Sequence, residues 1–208
     1  MWGQAPFFAN LFSFRLVYVV QYYSMELYEE IVANREIGAR RLVAEYGDRL
    51  FGASLVLCHD RQAAEDLVFR TFEQVVEKIS LYDPKQSFYN WCYTILLNYF
   101  RSDCRKMKAV VADEESWVEE HAQAARPDAP DHGERIGAED LRTAVDSLPP
   151  KLRETVVLHY YDDKSIEEMS RITSSPIGTV KWRLNKARML LKRALNAHLS
   201  ITKSRGGG

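Results

Sequence analysis

The sequence predicts an all-α protein of two small helical domains joined by an acidic linker. Apolar residues recur at spacings of three and four along most of the chain, which is the period of a helix face. That periodicity fails between Val110 and Gly137, where acids, alanines, Pro127 and Pro130 dominate, a linker composition. It resumes beyond the linker in a pair of capped helical patterns. At 208 residues the chain is long enough for two such domains, each with its own core.

The overall balance of 28 basic against 29 acidic side chains says little about partners, because the charge is segregated. Ala112 to Asp140 holds ten acidic residues against two arginines, whereas Pro176 to the end holds eight Lys or Arg and no acid. The basic segment suits a polyanion.

Phe7 to Tyr23 is apolar apart from Asn10, Ser13, Arg15 and Gln21. A membrane span needs about twenty largely uncharged residues; this run is shorter and carries Arg15 near its middle. It also lacks the leading basic residues and small-residue cleavage site of a secretory signal. Residues 1–24 therefore read as an apolar extension, a misassigned start or a docked tail, with a membrane or partner anchor as the alternative.

From Glu26 to Ser80 two helical patterns are expected, broken around His59-Asp60. In the second, Ala64, Val68, Phe72, Val75 and Ile79 form the buried stripe, and Asp60 is placed to cap it. Asp66, Arg70, Glu73 and Glu77 fall on the opposite face. Asp83-Pro84 breaks the helix within Leu81 to Ser87. A further helix follows, with Trp91, Ile95 and Tyr99 beside Cys92 and Leu96 as its core stripe. Its C-terminal half is basic, through Arg101, Arg105, Lys106 and Lys108. Aromatic rings beside cations are what single-stranded nucleic acid needs, since rings receive unstacked bases and cations hold phosphates.

Beyond the linker, Ala138 to Ser147 and Leu152 to Asp162 read as helices, the second starting after Pro149-Pro150. Ser165 followed by Glu168 is a capping box, with Ile166, Met169 and Ile172 on the buried side. Thr173-Ser174-Ser175 ends that helix, and Ser175 is expected to cap the next, with Pro176 at its first position. There Ile177, Val180, Leu184, Ala187 and Leu191 line one face, opposite Lys181, Asn185, Arg188 and Lys192. Two short helices about a turn, the second with a basic face, form a helix-turn-helix, whose second helix lies in the major groove of DNA.

The run GTVKWRLNKARMLLKRAL, preceded by Leu148-Pro149-Pro150 and Ser165-Ile166-Glu167-Glu168, resembles region 4 of extracytoplasmic-function (ECF) sigma factors of the sigma-70 family. AAEDLVFRTFEQVVEKI resembles their region 2.2, and FYNWCYTILLNYFRSDCRKMK their regions 2.3 and 2.4. The resemblance implies sigma region 2 over residues 25–108, an acidic linker over 109–137, region 4 over 138–203 and a tail over 204–208. It implies a bacterial, cytoplasmic protein whose partners are core RNA polymerase, promoter DNA and an anti-sigma factor, with no cofactor and no small-molecule substrate. Asp66, Arg70, Glu73 and Glu77 would meet the beta-prime clamp helices, and region 4 the beta flap. Asp83, Lys85, Gln86, Ser87 and Phe88 would form the loop that captures a flipped base of the minus-10 element, and Asn98, Arg101 and Arg105 would read the melted strand. Lys181, Trp182, Arg183, Asn185 and Lys186 would contact the minus-35 element. The linker would thread the polymerase's RNA channel. The sequence departs from the family pattern at Phe69-Arg70, where Gln-Glu is usual, at Cys92, where Leu is common, and at Trp182, which replaces a commonly small residue.

A polymerase-independent helix-turn-helix regulator would share the C-terminal half, so the N-terminal domain discriminates the two. An enzyme is the third class. His59, His121, His132, His159 and His198 are scattered, and no nucleophile–base or metal-ligand spacing joins them to Cys58, Cys92, Cys104 or an acid. The cysteines are read as reduced thiols.

Overall fold

The computed structural model describes residues 25–108 and 137–205, with side chains over 25–107 and 137–196. The expectations for residues 1–24, for the linker and for the end of the tail lie outside the described residues. Those described are helical, with no strand among them: α1 (25–33), α2 (Arg35–Cys58), α3 (Arg61–Glu77), a 3-10 turn (Ile79–Leu81), α4 (Phe88–Lys108), α5 (Ala138–Asp146), α6 (Pro150–Val156), α7 (Ile166–Thr173) and α8 (Ile177–Arg205). Among them no helix is long and apolar enough to cross a membrane.

They divide into two compact units. The first holds residues 25–54 and Gln62–Tyr99; the second holds Leu55–Arg61, α4 from Phe100 onward, and α5 to α8. The division thus falls inside α4, after Tyr99 and not at residue 108, the end expected for the first domain.

In the first unit, Asn34 interrupts what reads as one long helix. Its Oδ1 accepts the N–H of Glu36 (3.1 Å) and of Ile37 (3.2 Å), capping α2. A Cβ at Gly38 would stand 2.5 Å from Ile31 Cα, so glycine is required for α1 to fold back on α2. This corrects the expectation of two helices before Ser80; the cap signal is Asn34 followed by Glu36 at a helix start. Leu27 and Ile31 of α1, Leu42 and Leu50 of α2, Leu67 and Val75 of α3, and Tyr93, Leu96 and Leu97 of α4 form the buried core. Each such side chain contributes about 1.5–3 kcal/mol on burial.

The α3 stripe is as expected at Ala64, Val68, Val75 and Ile79; Phe72 is half-buried, and Leu67 and Thr71 join the interior. The α4 stripe is turned by about one position. Trp91, Ile95 and Tyr99 are only partly covered, whereas Phe88, Tyr89, Cys92, Tyr93, Leu96, Leu97 and Phe100 are buried. The cause is aromatic packing: Phe88 lies within 4.8 Å of the Tyr82 ring, 5.7 Å of Trp91 and 6.0 Å of Tyr46.

In the second unit, Leu148, Leu152, Val156 and Ala187 form a core against which Leu190 and Leu191 pack, so α5 and α6 lie on α8. Pro149 and Pro150 start α6, with Pro150 at its first position, where its missing N–H costs nothing. Arg153 stitches this region together: Nη1 donates to Leu57 O (2.8 Å), and Nη2 to Asp146 O (2.6 Å) and Leu148 O (3.2 Å). Beside it His59 pairs with Asp146. Past Val156 the helix widens to a π turn over Val157–Tyr161.

Candidate nucleic-acid interface

The second unit presents the helix-turn-helix. Ser165 Oγ accepts the N–H of Glu168 (3.2 Å) while the Glu168 carboxylate accepts the Ser165 N–H (3.0 Å), closing the expected capping box. Met169 and Ile172 are buried and Ile166 half-buried. The helix stops at Ser174, which takes the left-handed conformation (φ 51°) so that the Ser175 N–H reaches Ser170 O (3.0 Å). The Ser175 hydroxyl does not take the expected capping role: it donates to Thr173 O (3.2 Å) and accepts from Arg183 Nη1 (3.0 Å).

On α8, Val180, Leu184 and Ala187 are buried, Leu191 is half-buried, and Ile177 is exposed, one turn beyond the packed stripe. Lys181, Trp182 and Asn185 project from the opposite face, Trp182 half-exposed. They offer an ammonium, an indole and an amide, groups that meet phosphates, thymine methyls and base edges. Two expected members of this set lie elsewhere. Lys186 is buried at 6% exposure, because it occupies the flank of the apolar stripe beside Ala187; its ammonium is not on the open face. Arg183 is half-buried, and its charge faces Glu154 as well as Ser175. Arg188, not among the expected contacts, is exposed and donates from Nε to the Tyr160 hydroxyl (2.6 Å).

In the first unit, the loop before α4 is a built turn. Asp83 Oδ1 accepts the Lys85 N–H (3.0 Å), Asp83 O accepts the Gln86 N–H (2.9 Å), and the Tyr82 hydroxyl donates to Gln86 O (2.6 Å). Burial pushes the Tyr82 phenol up to about 12, so this donor stays protonated. Ser87 caps α4, accepting the Asn90 N–H at Oγ (3.3 Å). Asp83, Lys85 and Gln86 are thereby left exposed on a fixed backbone. Phe88 departs from the expectation: it is fully buried, a member of the core and not an open ring for a flipped base.

Asn98 and Arg105 are exposed on α4. Arg101 is not open. Within the second unit, its Nε donates to both carboxylate oxygens of Glu154 (2.9 and 3.1 Å) and its Nη2 to Oε2 (2.7 Å). Glu154 is fully buried in α6, and burial pushes its carboxyl above the usual carboxylate range against the pull of Arg101.

On α3, Asp66, Glu73 and Glu77 are exposed. Arg70 pairs with Asp66 (2.9 Å) and lies 5.2 Å from the Tyr99 ring centre. Phe69, which replaces a polar residue of the family pattern, is 63% exposed on the same outer side.

Comparisons with known proteins identify the family of the two helical regions. The family description "Sigma-70 region 2" matches residues 42–109, and "Sigma-70, region 4" matches residues 138–191. SigE of Mycolicibacterium smegmatis, an ECF RNA polymerase sigma factor, is 32% identical over 163 residues, covering 77% of this chain and 63% of the relative. EcfG of Rhodopseudomonas palustris, another ECF RNA polymerase sigma factor, is 33% identical over 147 residues, covering 71% of this chain and 78% of the relative. In fold, the chain is similar to the sigma factor RpoE solved with the anti-sigma factor NepR from Bartonella quintana (TM-score 0.57, 24% identity, 76% of this chain and 96% of that one). It is likewise similar to CnrH solved with the cytosolic domain of CnrY (TM-score 0.59, 21% identity, 82% of this chain and 96% of that one). With both sigma-70 regions matched and EcfG aligned over most of its length, the chain belongs to the ECF RNA polymerase sigma factors.

Proposed function

We propose that this chain directs bacterial core RNA polymerase to a set of promoters, reading the minus-35 element with α8 and melting and reading the minus-10 element with the 83–87 loop and α4. The observation that carries the proposal is the helix-turn-helix: a capped α7, a left-handed Ser174, and an α8 exposing Lys181, Trp182 and Asn185 in a segment without acids. Region 2 supplies what a plain DNA-binding regulator would not have. The acidic outer face of α3 fits the polymerase clamp helices, with Asp66, Glu73 and Glu77 as its anions. The chain itself is not an enzyme; the polymerase performs the chemistry. It works in the cytoplasm, and a protein partner of the anti-sigma kind holds it in reserve, a role supported by the partner-bound states of its two fold relatives.

The test is in vitro transcription with the full chain and sigma-free core polymerase on a pool of random promoters. Selective new transcripts with two shared upstream elements are expected. No transcripts and no core binding, with duplex binding intact, would replace the proposal with a polymerase-independent regulator.

A further inference from the structure

Arg188 continues the open stripe of α8. It follows Lys181 by seven residues and Asn185 by three, so two turns of helix, about 10.5 Å, carry it along the face those residues occupy. It is held in place from the π turn. Its Nε donates to the Tyr160 hydroxyl (2.6 Å), its guanidinium carbon lies 5.7 Å from the centre of the Tyr160 ring, and its Nη2 lies 3.4 Å from His159 Nε2. The His159 ring meets Tyr160 edge to face, 4.8 Å between centres, with its Nδ1 3.5 Å from Lys164 O. These partners differ from those of two other arginines. Arg41 is paired with Glu26 and Glu30, and Arg70 with Asp66, so each charge is met by an opposite one. Arg188 is gripped by a phenol and an imidazole, and no carboxylate pairs with it among the described residues. Its orientation is set while its charge is left unbalanced, and Nη1 has no partner among those residues. Both Tyr160 and Arg188 are exposed, where polar pairs contribute little to stability, so the demands of folding do not account for the brace.

We propose that Tyr160 is a positioning residue for DNA binding: it holds the Arg188 guanidinium ready to grip a backbone phosphate of the minus-35 duplex. The proposal rests on the reading of α8 as the minus-35 helix. A recognition helix meets base edges with its N-terminal residues. A cation two turns further on therefore reaches the backbone, where guanidinium and phosphate form a forked pair. An unbraced arginine loses side-chain freedom when it binds, and that loss weakens the contact. Tyr160 removes the freedom beforehand. The phosphate contact carries no sequence information of its own, but it fixes the register in which Lys181, Trp182 and Asn185 meet the bases.

The experiment uses the full-length chain assembled with core polymerase and a fluorescent duplex carrying a promoter recovered from the pool. Anisotropy is read at several salt concentrations. Arg188→Ala should weaken binding about tenfold, equally for promoters with different minus-35 sequences. It should also make the logarithmic salt dependence shallower by about 0.9, as for one phosphate. Tyr160→Phe keeps the ring and loses the accepting hydroxyl. It should weaken binding about threefold with the salt slope unchanged, because the phosphate contact is still made. Combined with Arg188→Ala, it should add no further loss. Losses that multiply in the double variant would overturn the proposal, since Tyr160 would then act on the DNA directly or through the fold. Parent-like binding by Tyr160→Phe overturns it too, as does an Arg188→Ala loss confined to one minus-35 sequence at unchanged slope, the mark of a base contact. Lys181→Ala is the control for the helix. If it weakens binding while Arg188→Ala does not, α8 is on the DNA and the proposal for Tyr160 and Arg188 alone is overturned. If neither changes binding, α8 is not the minus-35 helix, and the proposal falls with that reading.

Discussion

The two helices expected to meet DNA, α4 and α8, treat their polar and aromatic residues in opposite ways. On α8 the apolar stripe is narrow and settles against α5, α6 and α7, so the far side stays open and Lys181, Trp182 and Asn185 remain there. On α4 the N-terminal rings are gathered in by Tyr46 and Tyr82, and further along Arg101 is taken up by Glu154. A helix with partners on one side displays what its sequence displays. A helix at the centre of a cluster has its side chains claimed from several directions, and an aromatic next to a cation there is core before it is a binding site.

Phe88 offers the strongest way to break that contrast. Phe88→Ala should cost about 3–5 kcal/mol in urea unfolding, as for a buried ring left as a cavity. A loss of strand binding with stability intact would return Phe88 to the open loop and abolish the difference between the helices.

Next in size is the pair Lys181 and Lys186, which tests α8 alone. Lys181→Ala should weaken binding to minus-35 duplex about tenfold or more without moving the unfolding midpoint. Lys186→Ala should instead lower the midpoint, since its stem is buried beside Ala187. Binding data with the two effects exchanged would show that α8 is rotated relative to the arrangement described.

Ser165→Ala removes the hydroxyl that accepts the Glu168 N–H and should cost about 1 kcal/mol, seen as a lower melting temperature. A nearly neutral result would mean that packing on α8 holds α7 without its cap.

The smallest effect is a pH dependence at His59. Burial first, and then the positive charges of Arg153 and Arg142, hold its imidazole below the ordinary histidine value, against the pull of Asp146. In that window the unfolded chain binds a proton that the folded chain does not, so stability is present above the ordinary value of about 6.5 and declines as pH falls through it. Urea midpoints measured across that range should fall toward acid for the parent and stay flatter for His59→Gln; parallel curves would remove His59 as the cause.

Much of this was legible in the chain because it is local. The Ser165–Glu168 box, the Pro149-Pro150 start and most of the α3 stripe depend on residues within a turn of one another; the first two are found as expected, and the stripe holds at Ala64, Val68 and Val75 but not at Phe72. Asn34 carried a cap signal that an uninterrupted apolar period masked. The site was less legible. Lys186 and Lys181 are both lysines on a basic helix, and which is covered depends on the angle at which α8 meets α5 and α6. Nothing near Arg101 in sequence announces Glu154, which lies 53 residues away.

By itself the sequence determined the helical class and the helix-turn-helix, because periodicity and caps act over a few residues. Tertiary structure decided which of the chemically suitable residues stay in reach of a partner: it enclosed Phe88 and Lys186 and gave Arg101 to Glu154. The physical reason is that burial and ion pairing depend on what lies across the packed face, and neighbours in space are not neighbours in the chain.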